Sequence, residues 1–357
     1  MKHKTLQVTT AALFCGFLAV MSVLYWALPE KTFSQREKRY LAELPALEAE
    51  AVASGQWGQK AESYLADHMP GRDFFVGLNA YFDLATGRQQ TKDIRLSGKA
   101  LVEAPVAAEG SNLEKNLRAV TSFAQKTQLP VDLMLVPSAG WVRSPEDYGD
   151  SRILDEIQRA CDGRLRFQDL RETLKPEDFY LTDHHWTSGG AYQAYQQYVS
   201  GLGLTPRQNF QVESHEGFYG SAYSRSGLWL TPPESLELWQ GSSAITASYE
   251  NIPETGVFDL EKLHETDKYT VFLGGNHPRV TLKNPEKSGK LLVIRDSFSN
   301  CLGIFLAESF GEVTMVDLRY DKQPLSQLLE QGDFDRVLVC YGINNFLQDQ
   351  NIVFLTR

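Results

Sequence analysis

Four cysteines in 357 residues are too few for a disulfide framework. Cys15 lies inside an apolar run, which leaves Cys161, Cys301 and Cys340, an odd number that cannot close into pairs. Cys340 reads as a buried strand residue, and the redox state of the three is open. Neither a Cys-x-x-Cys nor a Cys/His spacing suited to structural zinc occurs. Clusters of Lys and Arg are missing, and the net charge is −10, which excludes the basic footprint that nucleic acid requires. Repeats and low-complexity tracts are missing too. With 42% hydrophobic and 22% charged residues, the chain has the composition of a folded protein with a large core.

Long uncharged runs are equally scarce, and the one that exists is terminal. Met1-Lys2-His3-Lys4 is short and basic, and no charge follows from Thr5 to Pro29. The apolar stretch from Ala11 to Leu28 is near the lower length needed to span a bilayer, and Tyr25-Trp26 sits where an interfacial aromatic belt belongs. A cleaved signal peptide is the alternative, but no small-x-small cleavage site follows. Residues 1–29 are thus expected to be an uncleaved single-pass anchor, with everything after Pro29 exported.

Residues 30–90 read as a helical stalk or cap, with helices over Glu37–Leu44, Gln56–Leu65 and Phe74–Leu84. A Pro/Gly break runs from Asp67 to Asp73, where His68 and Arg72 have packing roles. From 91 to 357, short apolar strands alternate with helices. Val131–Val136, Lys290–Ile294, Val313–Leu318 and Arg336–Tyr341 are strands of the kind buried on both faces, and Asp150–Ala160 is an amphipathic helix. Thr187 or Ser188 caps a helix through Val199. The pattern predicts an α/β fold around a central, mainly parallel sheet. About 205–285 differs: Tyr269–Leu273 and Arg279–Leu282 alternate around Gly274-Gly275-Asn276-His277-Pro278, which predicts an antiparallel insertion with a hairpin there.

Two segments carry chemistry. In Leu181-Thr182-Asp183-His184-His185-Trp186-Thr187, Asp183 and His185 are two apart, so alternate side chains on an extended loop can share a side. Asp183 would then accept from one ring nitrogen of His185, leaving the other free to take a proton. In Leu291–Ser299, Ser297 follows a buried strand and precedes a helix, at the carboxyl edge where open parallel sheets bind ligands. The Phe298 N–H is a candidate oxyanion donor. Each segment has a blander reading: the two histidines could bind metal or simply pack, and Asp296, Ser297 or Ser299 could merely cap the helix. Arg319 and Tyr320 also reach the edge, though surface ion pairing accounts equally well for Arg319. Asn276 and His277 could line the cleft or form the hairpin. Trp229, Trp239, Tyr219 and Tyr223 would stack on sugar rings or belong to the core.

Asp-His-His-Trp followed by Thr and a helix, with Asp-Ser-Phe after a downstream apolar strand, resembles the bacterial DHHW family. More distantly the chain is similar to the alginate O-acetyltransferase proteins of the SGNH-hydrolase-like group. Arg39–Pro45, Asp67–Asp73, Gly217–Ser221, Gly274–Asn276 and Asp317–Tyr320 agree, so the likeness covers almost everything after the anchor. It implies Ser297 as nucleophile, His185 as general base and Asp183 as its orienting carboxylate, with His184 a bystander. The order Asp, His, Ser matches the circularly permuted alginate proteins. Arg295 stands where the usual SGNH serine block has glycine, which puts the oxyanion loop in question. Tyr341-Gly342-Ile343-Asn344 resembles the Gly-x-Asn element that supplies oxyanion donors, and a plain turn is the alternative.

The fold implied is an SGNH-hydrolase-like sandwich. The activity implied is O-acetylation of a cell-surface or secreted polysaccharide outside the bacterial cell membrane. Acetyl would arrive through a multi-span membrane acyltransferase partner, and no metal or organic cofactor is required. A carbohydrate acetyl esterase would use the same three residues, and a non-catalytic polysaccharide-binding scaffold is the remaining alternative.

Overall fold

The uncharged terminal run becomes the longest helix of the protein. A computed structural model describes residues 2–161, 163–249 and 252–356. In it α1 spans Lys2–Ala27, of which Lys4–Ala27 is long and apolar enough to cross a bilayer. It belongs to a first unit formed by residues 1–91 with Gly227–Leu230, alongside α2 (Gln56–Asp67) and α3 (Arg72–Ala85). The helix anticipated over Glu37–Leu44 does not form. Phe33–Ser34 and Arg39–Tyr40 pair antiparallel there, with Lys38 in the left-handed region at φ 51. Side-chain electrostatics explains the change. Arg39 forks onto Asp67 at 2.5 and 2.8 Å and reaches Glu37 at 2.8 Å, while Arg72 meets Glu37 at 2.9 Å. The hydrogen bonds from Arg39 hold Asp67 down to about 2. His68 Nε2 lies 2.9 Å from the Ala42 carbonyl, so His68 and Arg72 both have structural partners.

The second unit, residues 92–226 and 231–357, is built on an eight-stranded sheet. It opens with a hairpin, β1 (Ile94–Ser97) and β2 (Ala100–Glu103). The main-sheet strands β3 (Val131–Val136) and β4 (Leu165–Asp169) follow, then an antiparallel pair, β5 (Gln211–Phe218) and β6 (Glu234–Gln240). Next come β7 (Thr246–Tyr249), β8 (Ile252–Thr255), β9 (Arg279–Lys283), β10 (Lys290–Arg295), β11 (Glu312–Val316) and β12 (Arg336–Gly342). The order across the main sheet is β8-β7-β9-β11-β10-β12-β3-β4. From β11 to β4 every neighbour is parallel, and β9, β7 and β8 extend that edge antiparallel.

The period of two in each strand sorts side chains to opposite faces. Leu133, Leu292, Ile294, Val337 and Val339 join one core with α4 (Leu113–Lys126) and α5 (Asp150–Ala160). Met134, Val136, Leu291, Val293, Leu338 and Cys340 join the other with α6 (Ser188–Ser200) and α7 (Ser299–Leu306). Both faces are covered, which is why these strands are mostly apolar, and the buried Asp132 of β3 is paired with Arg166 at 2.7 Å and Arg336 at 2.9 Å.

The insertion departs from expectation in one respect. Residues 269–273 are not a strand: Lys268–Val271 is a 3-10 turn, and Leu273, Gly274 and Gly275 all take positive φ. Three such residues in a row end extended backbone, so no hairpin spans Gly274–Pro278. Its supposed second strand, β9, pairs instead with β7 and β11. Tyr269, Val271, Phe272 and Leu273 are all buried, a pattern that alternation cannot describe.

Leu133 has 0% exposure in a sheet covered on both sides. Leu133→Ala is therefore expected to lower the urea midpoint of the second unit by the equivalent of about 2–5 kcal/mol. A change below about 1 kcal/mol would show that the site collapses around the cavity.

Candidate active site

The loop before α6 is fastened from below by a carboxylate. Glu234, the first residue of β6, accepts from the backbone N–H of Leu181 at 2.7 Å and of Thr182 at 2.6 Å, and also from the Thr182 hydroxyl. That hydroxyl in turn accepts from the Gly220 N–H at 3.0 Å. Burial pushes the Glu234 carboxyl up, and the backbone donors from Leu181 and Thr182 pull it back. On the far side the Thr187 side chain accepts from the Gly190 N–H at 3.1 Å, capping α6. Between these two clamps lie Asp183, His184, His185 and Trp186.

Asp183 is buried and uses both oxygens. Oδ1 accepts from the His185 backbone N–H at 2.9 Å and lies 2.6 Å from His185 Nδ1, while Oδ2 accepts from the Ser221 N–H at 2.6 Å. A carboxylate facing Nδ1 places the ring proton there and leaves Nε2 bare. That nitrogen lies 2.8 Å from Ser297 Oγ. Thus the structure brings Asp183, His185 and Ser297 into one hydrogen-bonded line across 112 residues of sequence.

The imidazole of His185 is clamped on both faces. Tyr269 stacks on one at 4.0 Å and 7°, and His184 covers the other at 3.8 Å. Burial dominates and lowers the His185 pKa; His184 adds to this, and Asp183 opposes it. His184 is less of a bystander than expected, because its Nδ1 meets Ser221 Oγ at 2.6 Å. Ser221 thereby fixes Asp183 through its N–H and His184 through its hydroxyl. Ligand atoms of Asp183, His184 and His185 fall within 4.8 Å of one another, near enough to hold a cation, although each residue is already hydrogen-bonded.

Ser297 lies two residues past the end of β10, so the sheet carries its hydroxyl to the carboxyl edge. The Asp296 side chain closes the turn by accepting from the Phe298 N–H at 3.0 Å, and the Ser297 hydroxyl turns to His185 instead of capping α7. This corrects the expectation for the Phe298 N–H, which is committed to Asp296 and not open to an oxyanion. The other Asp296 oxygen accepts from the Gly342 N–H at 2.8 Å and the Asn345 amide at 2.7 Å. Gly342 therefore acts through the same buried carboxylate. No acceptor meets the Ser297 backbone N–H among the described residues. Trp186 donates its ring N–H to the Phe298 carbonyl at 3.0 Å, tying the two loops together.

The remaining candidates divide: Gly342 and Asn344 line the cleft beside His184, and the others lie away from it. Tyr341 is buried against Phe346, with its hydroxyl in the core rather than at the cleft, because its position in β12 faces the α4 side of the sheet. Arg319 grips Asp317 at 2.9 and 2.6 Å, which is the ion-pair account of it. Asn344 donates to Glu103 at 2.9 Å. Asn276 forms no hairpin; its oxygen accepts from Asn300 at 3.1 Å. Arg295, in the glycine position, is fully buried and donates to Asn300 at 2.6 Å and to the His277 carbonyl at 3.1 Å, away from the serine. Trp239 packs on Tyr192 and Phe305, and Tyr223 is buried against Tyr219. A narrow cleft lined by Glu103, Ser138, Gly140, His184, Phe298 and Asn344 opens beside the loop. Glu234, Ser221 and Tyr269 escaped the sequence reading. The run Gly217–Ser221 pointed near one of them, and Tyr269 entered only as the start of an expected strand.

The DHHW family model matches residues 157–316, which include Asp183, His185 and Ser297. A DHHW family protein from Eubacterium siraeum has a similar structure: TM-score 0.64 and 19% identity, covering 75% of this chain and 96% of that one. Bacillus cereus PatB1, solved with a sulfonyl adduct, superposes at TM-score 0.60 and 18% identity, covering 73% and 97%. The O-acetyltransferase domain of Pseudomonas putida AlgJ aligns at TM-score 0.41 and 17% identity, covering 74% and 99%. No curated protein sequence matches this chain. The resemblance to the DHHW family holds, and the architecture is the SGNH-hydrolase-like α/β fold.

The lowered pKa of His185 has a defined sign. The unfolded chain takes the proton near the ordinary imidazole value of about 6.5, and the native state resists it. The stability this contributes is complete above that value and is lost as pH falls below it. NMR titration should place the His185 midpoint below the ordinary imidazole value of about 6.5, and a midpoint above it would contradict the dominance of burial.

Proposed function

We propose that this chain is a membrane-anchored, extracytoplasmic O-acetyltransferase acting on a cell-surface or secreted polysaccharide. The observation that carries the reading is the line from Asp183 through His185 to Ser297, at 2.6 and 2.8 Å. A serine whose proton has a bare, oriented imidazole nitrogen to go to is an activated nucleophile.

Ser297 Oγ attacks the acetyl carbonyl of the donor as its proton passes to His185 Nε2. Asp183 stabilises the imidazolium through Nδ1. The tetrahedral intermediate then expels the donor's oxygen, which takes the proton back from His185, and the acetyl group remains on Ser297. An acceptor sugar hydroxyl next gives its proton to His185 and attacks the acetyl-serine carbonyl. Collapse forms the sugar ester and returns the proton to Ser297. The uncommitted Ser297 N–H is the donor this reading assigns to the developing oxyanion. Acetyl would reach the site from a multi-span membrane partner, and α1 would hold the chain at that membrane. An acetyl esterase differs only in that water takes the place of the sugar.

The test uses the full chain in detergent with a chromogenic acetyl ester, with and without an acceptor oligosaccharide. Ser297→Ala and His185→Ala are each expected to lower kcat/KM by on the order of 10⁴-fold or more. An aryl sulfonyl fluoride should add one sulfonyl group at Ser297, seen by mass spectrometry, and none in Ser297→Ala. Acetyl release that never appears on the oligosaccharide would select the esterase. An unlabelled Ser297 together with no turnover would end both enzymatic readings.

A Cβ on Gly220 would overlap the Asp183 side chain. Gly220→Ala should therefore displace the carboxylate and lower kcat by on the order of 10²-fold with the fold intact, as judged by circular dichroism. Unchanged kcat would show that the loop relaxes without moving His185.

A further inference from the structure

In the first unit, α3 has two faces of opposite character. Its inner face is partnered: Gly77 lies beneath Trp229, where a Cβ would collide with the indole, and the Trp229 ring N–H donates to the Asp73 carbonyl at 2.8 Å. The outer face carries Phe74, Leu78 and Phe82 at helical spacing, with 66%, 54% and 63% of their surface exposed. Ala85 continues this stripe, and Leu65 and Met69, also exposed, precede it. No charge falls on the stripe. Asp73 turns toward Arg36 at 3.9 Å, Arg72 toward Glu37 at 2.9 Å and Asp83 toward Arg88 at 3.0 Å. A row of large apolar side chains with water on it needs a covering.

What covers it is indicated by the neighbour of α3. Phe75, next to the stripe, packs edge-to-face on Phe17 of α1 at 6.4 Å. Phe17 is nine residues before Trp26, or roughly 14 Å along a helix, and the hydrocarbon core of a bilayer is about 30 Å thick. With Trp26 at the interface, Phe17 is in the hydrocarbon, and a ring touching it is there too.

We propose that α3 is a second membrane element: it dips into the exported-side leaflet beside α1, with Phe74, Leu78 and Phe82 among the acyl chains. The proposal rests on the reading of α1 as an anchor. Two contact helices would fix the tilt and rotation of the first unit at the membrane, where a single span leaves it free to swivel.

The test places the full chain in vesicles of phosphatidylethanolamine and phosphatidylglycerol whose acyl chains carry bromine, a contact quencher of tryptophan. Leu78→Trp adds an emission component on the stripe, and Lys60→Trp adds one on the exposed polar surface of α2. The component lost in Trp26→Phe reports the anchor. The expected result is quenching of the Leu78→Trp and Trp26 components, with loss of most of the added emission, while the Lys60→Trp component survives. Quenching of Trp26 without quenching at position 78 would overturn the proposal and leave the anchor standing. If neither is quenched, α1 is not inserted and both readings fall together.

Discussion

The candidate site depends on how one carboxylate is filled. Asp183 receives two backbone N–H groups, from His185 and Ser221, in addition to the imidazole Nδ1. Those two amides set the direction of both oxygens before the ring is considered, so the ring has one place to go. A buried carboxylate that is fully hydrogen-bonded in this way does not drift, and the Nε2–Ser297 contact inherits its position. Glu234 repeats the device one layer down by taking the N–H groups of Leu181 and Thr182. The loop is held by acids that bind backbone, which is why it needs no regular secondary structure of its own.

A third buried acid works on the serine side. Asp296 collects N–H groups from the turn after β10, from Gly342 at the end of β12 and from the Asn345 amide beyond it, joining neighbouring strands where their carboxyl ends open. Burial pushes its carboxyl up, while Asn345, Gly342 and Phe298 favour the charged form. Donors that look available from the order of residues are consumed by this strut. The Ser297 N–H stays open because Asp296 reaches past it to the next residue.

Much of the fold was legible in advance because its causes are local. The apolar runs at Val131–Val136, Lys290–Ile294 and Arg336–Tyr341 are strands, and their burial on both faces follows from helices on each side. Where non-local contacts decide, the reading fails. Glu37–Leu44 has helical spacing, but Asp67 and Glu37 draw Arg39 and the chain into a paired turn. Tyr269–Leu273 alternates like a strand, yet every apolar member is buried, and Tyr269 serves as one wall of His185. Tyr341 illustrates the limit of position: its place next to Gly342 suggested the cleft, and the strand's period of two turned it into the core.

The chemical types and their spacing come from the order of residues alone: a carboxylate two residues before a histidine, a serine just past a buried strand, and an uncharged span ahead of them all. Those depend on neighbours along the chain, and periodicity reports them. That the two segments meet, that Ser221 and Glu234 hold one of them, and that Asp296 takes the Phe298 N–H are settled by folding. These are contests among hydrogen-bond partners far apart in sequence, and the pairing depends on distances that exist only after the sheet has closed.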